Sequence, residues 1–120
     1  MRFLVVYIAE AHASDEWPVG ALTSVTTQPT HLQHRINLAQ KVKSKLLHDE
    51  VDVVCDAMDN GFQQTMAAWP IRAYVVDPPQ SGTVTLRWKA QPTLAPPKVY
   101  GYDLNAMTAW LESNIGGTQA

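Results

Sequence analysis

Four short apolar runs and two amphipathic stretches carry most of the hydrophobic pattern of this chain. Residues 3–8, FLVVYI, form a continuous β-branched and aromatic run, which is typical of a strand buried on both faces. The pattern predicts further strands at 51–55, 71–76 and 83–88 and a short helix at 62–69. Apolar residues also recur at helical spacing in two longer stretches, at Leu32, Ile36, Ala39, Val42 and Leu46 and again at Leu104, Met107 and Leu111.

The segments between these elements lack periodicity. Residues 9–29 are predicted to form a long loop, residues 89–102 a Pro-rich irregular segment and residues 116–120 a tail. Thr30 and Gln33 have the spacing of a capping box before the first long helix, and Asp103 is predicted to cap the last helix. Strands alternate with helices at the front, which predicts parallel pairing, and the turn residues DPPQSG at 77–82 predict an antiparallel hairpin. We therefore expect one α/β domain with a mixed sheet over residues 1–120.

Length, composition and charge narrow the function class. A chain of 120 residues with a formal net charge of −2 has neither the basic excess nor the basic stripe of a nucleic-acid-binding protein. Lys41, Lys43 and Lys45 are predicted to form a solvated helix face. The first apolar run is too short for a secretory signal, and nothing approaches the roughly 20 apolar residues of a membrane span. We expect a soluble protein of the cytoplasm or an organelle interior.

The sequence predicts neither a metal nor a cofactor. Cys55 is the single cysteine, which excludes an intrachain disulfide or a CxxC pair, and in a buried strand it is predicted to be an inert small hydrophobe. His31 and His34 lie three residues apart, but with no third ligand indicated they are predicted to be surface histidines. The segment 56–61, DAMDNG, lacks the ligand spacing of a calcium loop and is predicted to be a turn.

Five segments, taken together and in this order, resemble the iodothyronine deiodinase family and its bacterial relatives. They are FLVVYIAEAHASDEW, QPTHLQHR, VVCDAMDN, AAWPIRAYVVD and GYDLNAMTAWL, and they cover most of residues 3–111. The resemblance implies a thioredoxin-like fold in which residues 3–8 are the second core strand and residues 71–76 and 83–88 are the terminal hairpin. It also places Pro70 where thioredoxin-like proteins keep a cis-proline beside the active site.

The resemblance also implies what these 120 residues do not contain. Family members carry a selenocysteine or cysteine nucleophile between a first strand and a first helix, and no residue here matches that unit. We therefore expect a truncated thioredoxin-like mixed sheet, ordered strand, loop, helix, strand, helix, strand, strand, helix. Because the family's first strand lies in the centre of its sheet, another strand of this chain, a second copy or another protein would have to complete the pairing. A homo-oligomer or a protein partner follows as the expectation.

The resemblance assigns site residues as well. Glu10 and His12 would flank a substrate phenol and assist proton transfer, since a histidine beside a carboxylate is a sensible general acid/base pair. Trp17, Pro70 and Arg72 would line the same substrate cleft. The chain departs from the family at Glu16, where glycine is usual, and at 89–102, where a glycine-rich segment is usual.

Structural alternatives remain open for these residues. Glu10 and His12 alternatively form a hydrogen-bonded strand exit that pins the long loop. Arg72 is equally explained as a buried ion-pair partner of Asp56 or Glu10. Three tryptophans are predicted to fill the core, namely Trp17, Trp69 and Trp110.

The leading functional hypothesis is a deiodinase-like protein without a redox nucleophile, not itself an enzyme, that serves as a binding or structural subunit. The alternative is a thiol- or selenol-dependent reductive dehalogenase, or a thioredoxin-like oxidoreductase, whose nucleophile lies upstream of Met1 or on a partner. A third hypothesis is a carrier that keeps a cleft for a small aromatic ligand.

Overall fold

The computed structural model describes residues 1–90, 92–95, 99–102 and 104–115. The chain is α/β, as predicted, and its described residues belong to two compact units, Met1–Ile71 and Arg72–Ala120. The elements in chain order are β1 (Leu4–Tyr7), α1 (Leu32–Leu46), β2 (Asp52–Cys55), α2 (Gly61–Met66), β3 (Tyr74–Val76), β4 (Leu86–Lys89), β5 (Pro92–Ala95), β6 (Val99–Tyr102) and α3 (Leu104–Asn114).

In the first unit β1 pairs with β2 in parallel, which confirms the prediction made from strand–helix alternation. Leu4 lies opposite Asp52, and the register continues to the end of both strands. The prediction that residues 3–8 are buried on both faces is wrong. Leu4 and Val54 lie on one face and are 60% and 47% exposed, whereas Val53 on the other face is half-buried. The face that carries Leu4 and Val54 is therefore the more exposed of the two.

Helix α1 begins one residue later than a Thr30 cap requires. His31 is the N-cap, with an extended backbone, and its Nδ1 accepts a hydrogen bond from the backbone amide of His34 at 3.2 Å. Gln33 does not reach back to the cap, because its side-chain amide donates to Asn37 Oδ1. The predicted capping box is therefore wrong, and the two histidines have a structural explanation at the start of the helix.

The buried face of α1 also differs from the predicted stripe. Leu32 and Leu46 are 47% and 76% exposed, whereas Leu38, Ala39 and Arg35 are buried. Lys43 is not simply solvated, because its Nζ donates to the carbonyl oxygens of His48, Asp49 and Val51. A lysine in the last turn satisfies carbonyls that neither the helix nor β2 uses. Lys43 and the backbone hydrogen bond from the Val51 amide to the His48 carbonyl together hold the connection from α1 to β2.

The segment 56–60 forms the predicted turn and leads into α2. Asp56 is buried, and its two carboxylate oxygens accept hydrogen bonds from the backbone amides of Phe62 (3.0 Å) and Gln63 (2.9 Å). These amides belong to the first turn of α2, where no intrahelical acceptor exists. Asp56 therefore fixes the start of α2 from outside the helix.

In the second unit β3 pairs with β4 in the predicted antiparallel hairpin. The connection turns through Ser81 and Gly82, which have positive φ angles of 51° and 77°. Trp88 of β4 stacks on Trp110 of α3 with ring centroids 6.0 Å apart, and Trp110 is half-buried. This aromatic pair ties the last helix to the hairpin.

The prediction of an irregular segment at 89–102 is wrong. Strand β4 extends to Lys89, and β5 and β6 pair antiparallel from Pro92 opposite Tyr102 to Ala95 opposite Val99. Valine and tyrosine favour strands, and a proline at the first position of a strand does not interrupt the backbone hydrogen bonds between strands. The number of prolines in this segment therefore did not indicate whether it forms strands. The predicted Asp103 cap and the tail at 116–120 lie outside the described residues.

The strands of the described residues form three separate two-stranded sheets, β1–β2, β3–β4 and β5–β6. Among the helices that the structure describes, none is both long enough and apolar enough to cross a membrane.

Candidate functional site

The exit of β1 is fastened to the end of the long loop by one side chain. Gln28 accepts from the backbone amide of Glu10 through Oε1 and donates to the Glu10 carbonyl through Nε2, both at 2.9 Å. The same Nε2 donates to Glu16 Oε2, and the Gln28 backbone amide donates to Asp15 Oδ1. The Gln28 side-chain amide thus bonds to the Glu10 backbone as a peptide group of a neighbouring strand would. These bonds join the end of the 9–29 loop to its beginning. The backbone of Glu10 has the loop-pinning role considered from the sequence.

The Glu10 side chain lines a cavity of about 370 Å³. The cavity lies within the first unit, and its other walls include Pro29, Arg35, Met58, Gln63 and Trp69. Burial raises the pKa of the Glu10 carboxyl above its ordinary value of 4.5, because desolvation disfavours the charged form. A half-buried acid that retains its proton more readily is suited to donate a proton or a hydrogen bond to a ligand.

Glu10→Gln is expected to stabilise the fold at neutral pH. Because the pKa of Glu10 is higher in the folded state than in the unfolded state, ionisation of Glu10 destabilises the folded protein. This loss of stability is absent below pH 4.5, where Glu10 is protonated in both states, and it develops as the pH rises through the folded-state pKa. The gain at pH 7 should be less than about 1 kcal/mol, because partial exposure screens the charge. Urea unfolding across this pH range measures it. A gain that does not depend on pH would contradict the assignment.

His12 lies in a row of aromatic rings that leads to the cavity. Its ring packs on Trp17 at 4.6 Å between centroids, and Trp17 stacks on Trp69 at 6.4 Å. His12 Nδ1 lies 3.3 Å from the Trp17 carbonyl oxygen, which can accept a hydrogen bond from an Nδ1 proton. Trp17 and Trp69 are 57% and 40% exposed, so the prediction that they fill the core is wrong.

Arg35 is a site residue that the sequence did not indicate. It is 2% exposed and is the largest fully buried side chain among the described residues. Its Nη1 donates to the carbonyls of Asp56 (3.1 Å) and Ala57 (2.8 Å), and its Nη2 donates to Asn60 Oδ1 (3.0 Å). The guanidinium therefore holds the turn that follows β2 against α1. Arginine between apolar helix positions is typical of a solvent-facing residue, and only the position of these three acceptors explains its burial.

Cys55 ends β2 as a half-buried free thiol. Burial raises the pKa of the thiol, and the positive charge of Arg35 offsets part of that effect. A reactive cysteine requires a lowered pKa, because the thiolate is the nucleophile. The direction of this shift agrees with the sequence-based hypothesis of an unreactive thiol, although Cys55 is half-buried and not fully buried.

The remaining predicted residues lie in different places. The Trp69–Pro70 peptide bond is cis, as the resemblance implies. Arg72 begins the second unit, and its predicted role in the cleft stays a prediction, as does its pairing with Asp56 or Glu10. Within the described part of the chain, no group of three or more His, Cys, Asp or Glu side chains is arranged to hold a metal ion.

Comparison with known proteins identifies the family. The model of the iodothyronine deiodinase family matches residues 1–115 of this chain. The chain belongs to the iodothyronine deiodinase family. It is 30% identical over 110 residues to thyroxine 5-deiodinase of Sus scrofa, a match that covers 92% of this chain and 32% of that protein. It is 29% identical over 110 residues to thyroxine 5-deiodinase of Homo sapiens, and this match covers 92% of this chain and 32% of that protein.

A third deiodinase relative is the type I iodothyronine deiodinase of Xenopus laevis, which is 32% identical over 90 residues, 75% of this chain and 33% of that protein. The chain thus spans about a third of the length of these curated deiodinases. No solved structure matches the chain. The resemblance read from the five sequence segments is confirmed at the level of the family.

Proposed function

We propose that these 120 residues form the ligand-binding and acid/base part of a deiodinase-type site and act as a non-catalytic binding or structural subunit with a thioredoxin-like fold. The observation that carries the proposal is the state of the single thiol. Cys55 is the last residue of β2, and burial raises the pKa of its thiol, which does not favour the thiolate that a nucleophile requires. The side chains that suit proton transfer and ring binding are nonetheless gathered at the exit of β1.

Glu10 and Trp69 indicate the class of ligand that the cavity would bind. Glu10 offers a carboxyl whose raised pKa favours the protonated form, and Trp69 offers an aromatic wall in the same cavity. A cavity of about 370 Å³ lies near the lower end of the roughly 300–1,000 Å³ of ligand pockets. These features support a small aromatic ligand, with His12 and Trp17 beside it and Pro70 and Arg72 in the roles that the family resemblance assigns to them.

The outer edge of β1 supports a subunit role. The amides of Asp52 and Asp56 donate to the carbonyls of Phe3 and Tyr7, so the alternation of a parallel ladder points the backbone groups of Leu4 and Val6 away from β2. In the described part of the chain β1 pairs with β2 alone. An edge strand with unpaired amides and carbonyls is a template for another strand. A second copy of the chain or another protein is the partner that we propose for this edge.

The test is a binding and turnover experiment on the 120-residue chain with 4-iodophenol and dithiothreitol. We expect saturable binding by calorimetry with no release of iodide. Glu10→Gln keeps the backbone bonds to Gln28, so its effect on binding reports the carboxyl alone. Absence of binding would contradict the ligand part. A monodisperse monomer in light scattering at micromolar concentration, together with the absence of a co-purifying protein in native mass spectrometry, would contradict the partner part.

A second function is favoured by the relatives, which are named as deiodinases. In that function the chain works in a thiol- or selenol-dependent reductive dehalogenase or a thioredoxin-like oxidoreductase, and the nucleophile comes from sequence beyond these residues or from a partner. Release of iodide by the natively purified protein, unchanged in Cys55→Ser, would establish it. Loss of turnover in Cys55→Ser would instead make Cys55 the nucleophile and overturn both proposals.

A further inference from the structure

Arg35 carries a buried positive charge without a carboxylate partner among the described residues. The ion pairs of that part of the chain are Arg2–Asp52 and Arg87–Asp77, and the acceptors of Arg35 are two carbonyl oxygens and one amide oxygen. Asp56 follows β2 close by, but both of its carboxylate oxygens are bonded to backbone amides of α2. A buried cation is expensive unless an anion compensates it. Binding of an anion next to the Arg35 guanidinium would therefore compensate its buried charge.

The hydrogen bonds of Arg35 show how much of its capacity remains. A guanidinium has five N–H donors, and three of them serve Asp56, Ala57 and Asn60. The Nε–H has no partner although it is buried, and one N–H of Nη2 is also unassigned. Two remaining donors match the two oxygens of a carboxylate, which arginine binds in a bidentate fork.

Gln63 is the second wall residue with unused hydrogen-bonding capacity. Arg35 and Gln63 both line the cavity, and Gln63 Oε1 is buried without a hydrogen-bond partner. Rotation of the amide about its last bond presents the NH₂ group instead of the oxygen. The two residues together then offer N–H donors and one positive charge to an entering anion.

The rest of the cavity decides what carries the anionic group. Met58, Pro29 and Trp69 supply apolar and aromatic surface, and the volume of about 370 Å³ suits a one-ring ligand. Glu10 and Glu16 also line the cavity. Glu16 is engaged with Gln28, and the raised pKa of Glu10 lowers the cost of an anion beside it.

We propose that the cavity binds a small aromatic carboxylate, with the carboxylate on Arg35 and Gln63 and the ring against Trp69 and Met58. The proposal deepens the proposed function, since it names a ligand class for the same cavity and rests on that cavity being a binding site. It differs from the proposed function in requiring an anionic oxygen group and in using Arg35 and Gln63.

Calorimetric titration of the 120-residue chain at about pH 6 tests the proposal. Benzoate should bind at least tenfold more tightly than benzamide, which has the same shape without the charge, and more tightly than acetate, which lacks the ring. Gln63→Glu should weaken benzoate binding at least tenfold, because the new carboxylate pairs with Arg35 and repels the ligand. Gln40→Glu makes the same charge change on the exposed side of α1 and should leave the affinity within about twofold.

Three outcomes would overturn the proposal, namely equal affinity for benzoate and benzamide, unchanged affinity in Gln63→Glu, or an equal loss in Gln40→Glu. Arg35 itself is left intact, so loss of folding does not confuse the result, and circular dichroism of each variant checks this. Titration with 4-iodophenol separates the two proposals. Binding of 4-iodophenol without benzoate refutes the carboxylate and keeps the proposed function, whereas the reverse refutes the phenol ligand and keeps the carboxylate.

Discussion

Arg35→Met is expected to lower the free energy of unfolding by about 3 kcal/mol, because it removes a donor from three acceptors at once and each buried acceptor left without one costs about 1–3 kcal/mol. Methionine retains most of the apolar stem, so the loss reports the guanidinium rather than an empty volume. The carbonyls of Asp56 and Ala57 and the side chain of Asn60 are the groups affected. Urea unfolding followed by circular dichroism measures the change.

Arg2→Met is the matched control for this substitution. Arg2 forms an ion pair with Asp52 at 2.9 Å, but the two side chains are 90% and 59% exposed. An exposed pair of this kind contributes about 0–1 kcal/mol, so the control should unfold almost as the wild type does. Similar losses in the two variants would show that Arg35 does not organise the turn.

Asp56→Ala is expected to cost about 2 kcal/mol, at the upper end for the loss of a helix-capping carboxylate. Both oxygens of this buried side chain accept from amides in the first turn of α2, and alanine leaves Phe62 and Gln63 without those acceptors. Because Gln63 lines the cavity, fraying of α2 should also weaken ligand binding. Urea unfolding and calorimetric titration of the same preparation measure the two effects.

Asp59→Ala provides the comparison within the same turn. Asp59 is exposed, and its side chain accepts one hydrogen bond, from the amide of Gly61 at 3.0 Å. We expect a loss of about 0.5 kcal/mol, since water replaces an exposed partner at little cost. If Asp59→Ala proves as destabilising as Asp56→Ala, the cap at Asp56 is not what fixes α2.

Much of the fold could be predicted because its signals are local. The presence of α1, the parallel pairing of β1 with β2 and the β3–β4 hairpin follow from hydrophobic period, strand–helix alternation and turn residues. The errors lie where two local rules compete. At 92–102, proline content outweighed the strand preference of valine and tyrosine, and the strand preference proved correct.

The site was predicted less well than the fold. Glu10 was indicated by the family resemblance, and it lines the cavity. Gln28 lies at the end of a loop without periodicity, so nothing in its neighbourhood indicates that its side chain bonds to Glu10. Arg35 was not singled out from the sequence, because a charge on a helix usually faces solvent and nothing near it in the chain indicates its burial.

By itself the sequence determined the α/β class, the order of the elements apart from β5 and β6, and the family, because these depend on neighbouring residues and on ordered segments. Tertiary structure alone decided that the described strands form three separate pairs and that Trp17 is exposed. It alone brought Arg35 of α1 to the carbonyls of Asp56 and Ala57, more than twenty residues away. Such a contact depends on where the chain returns in space, and no local propensity carries that information.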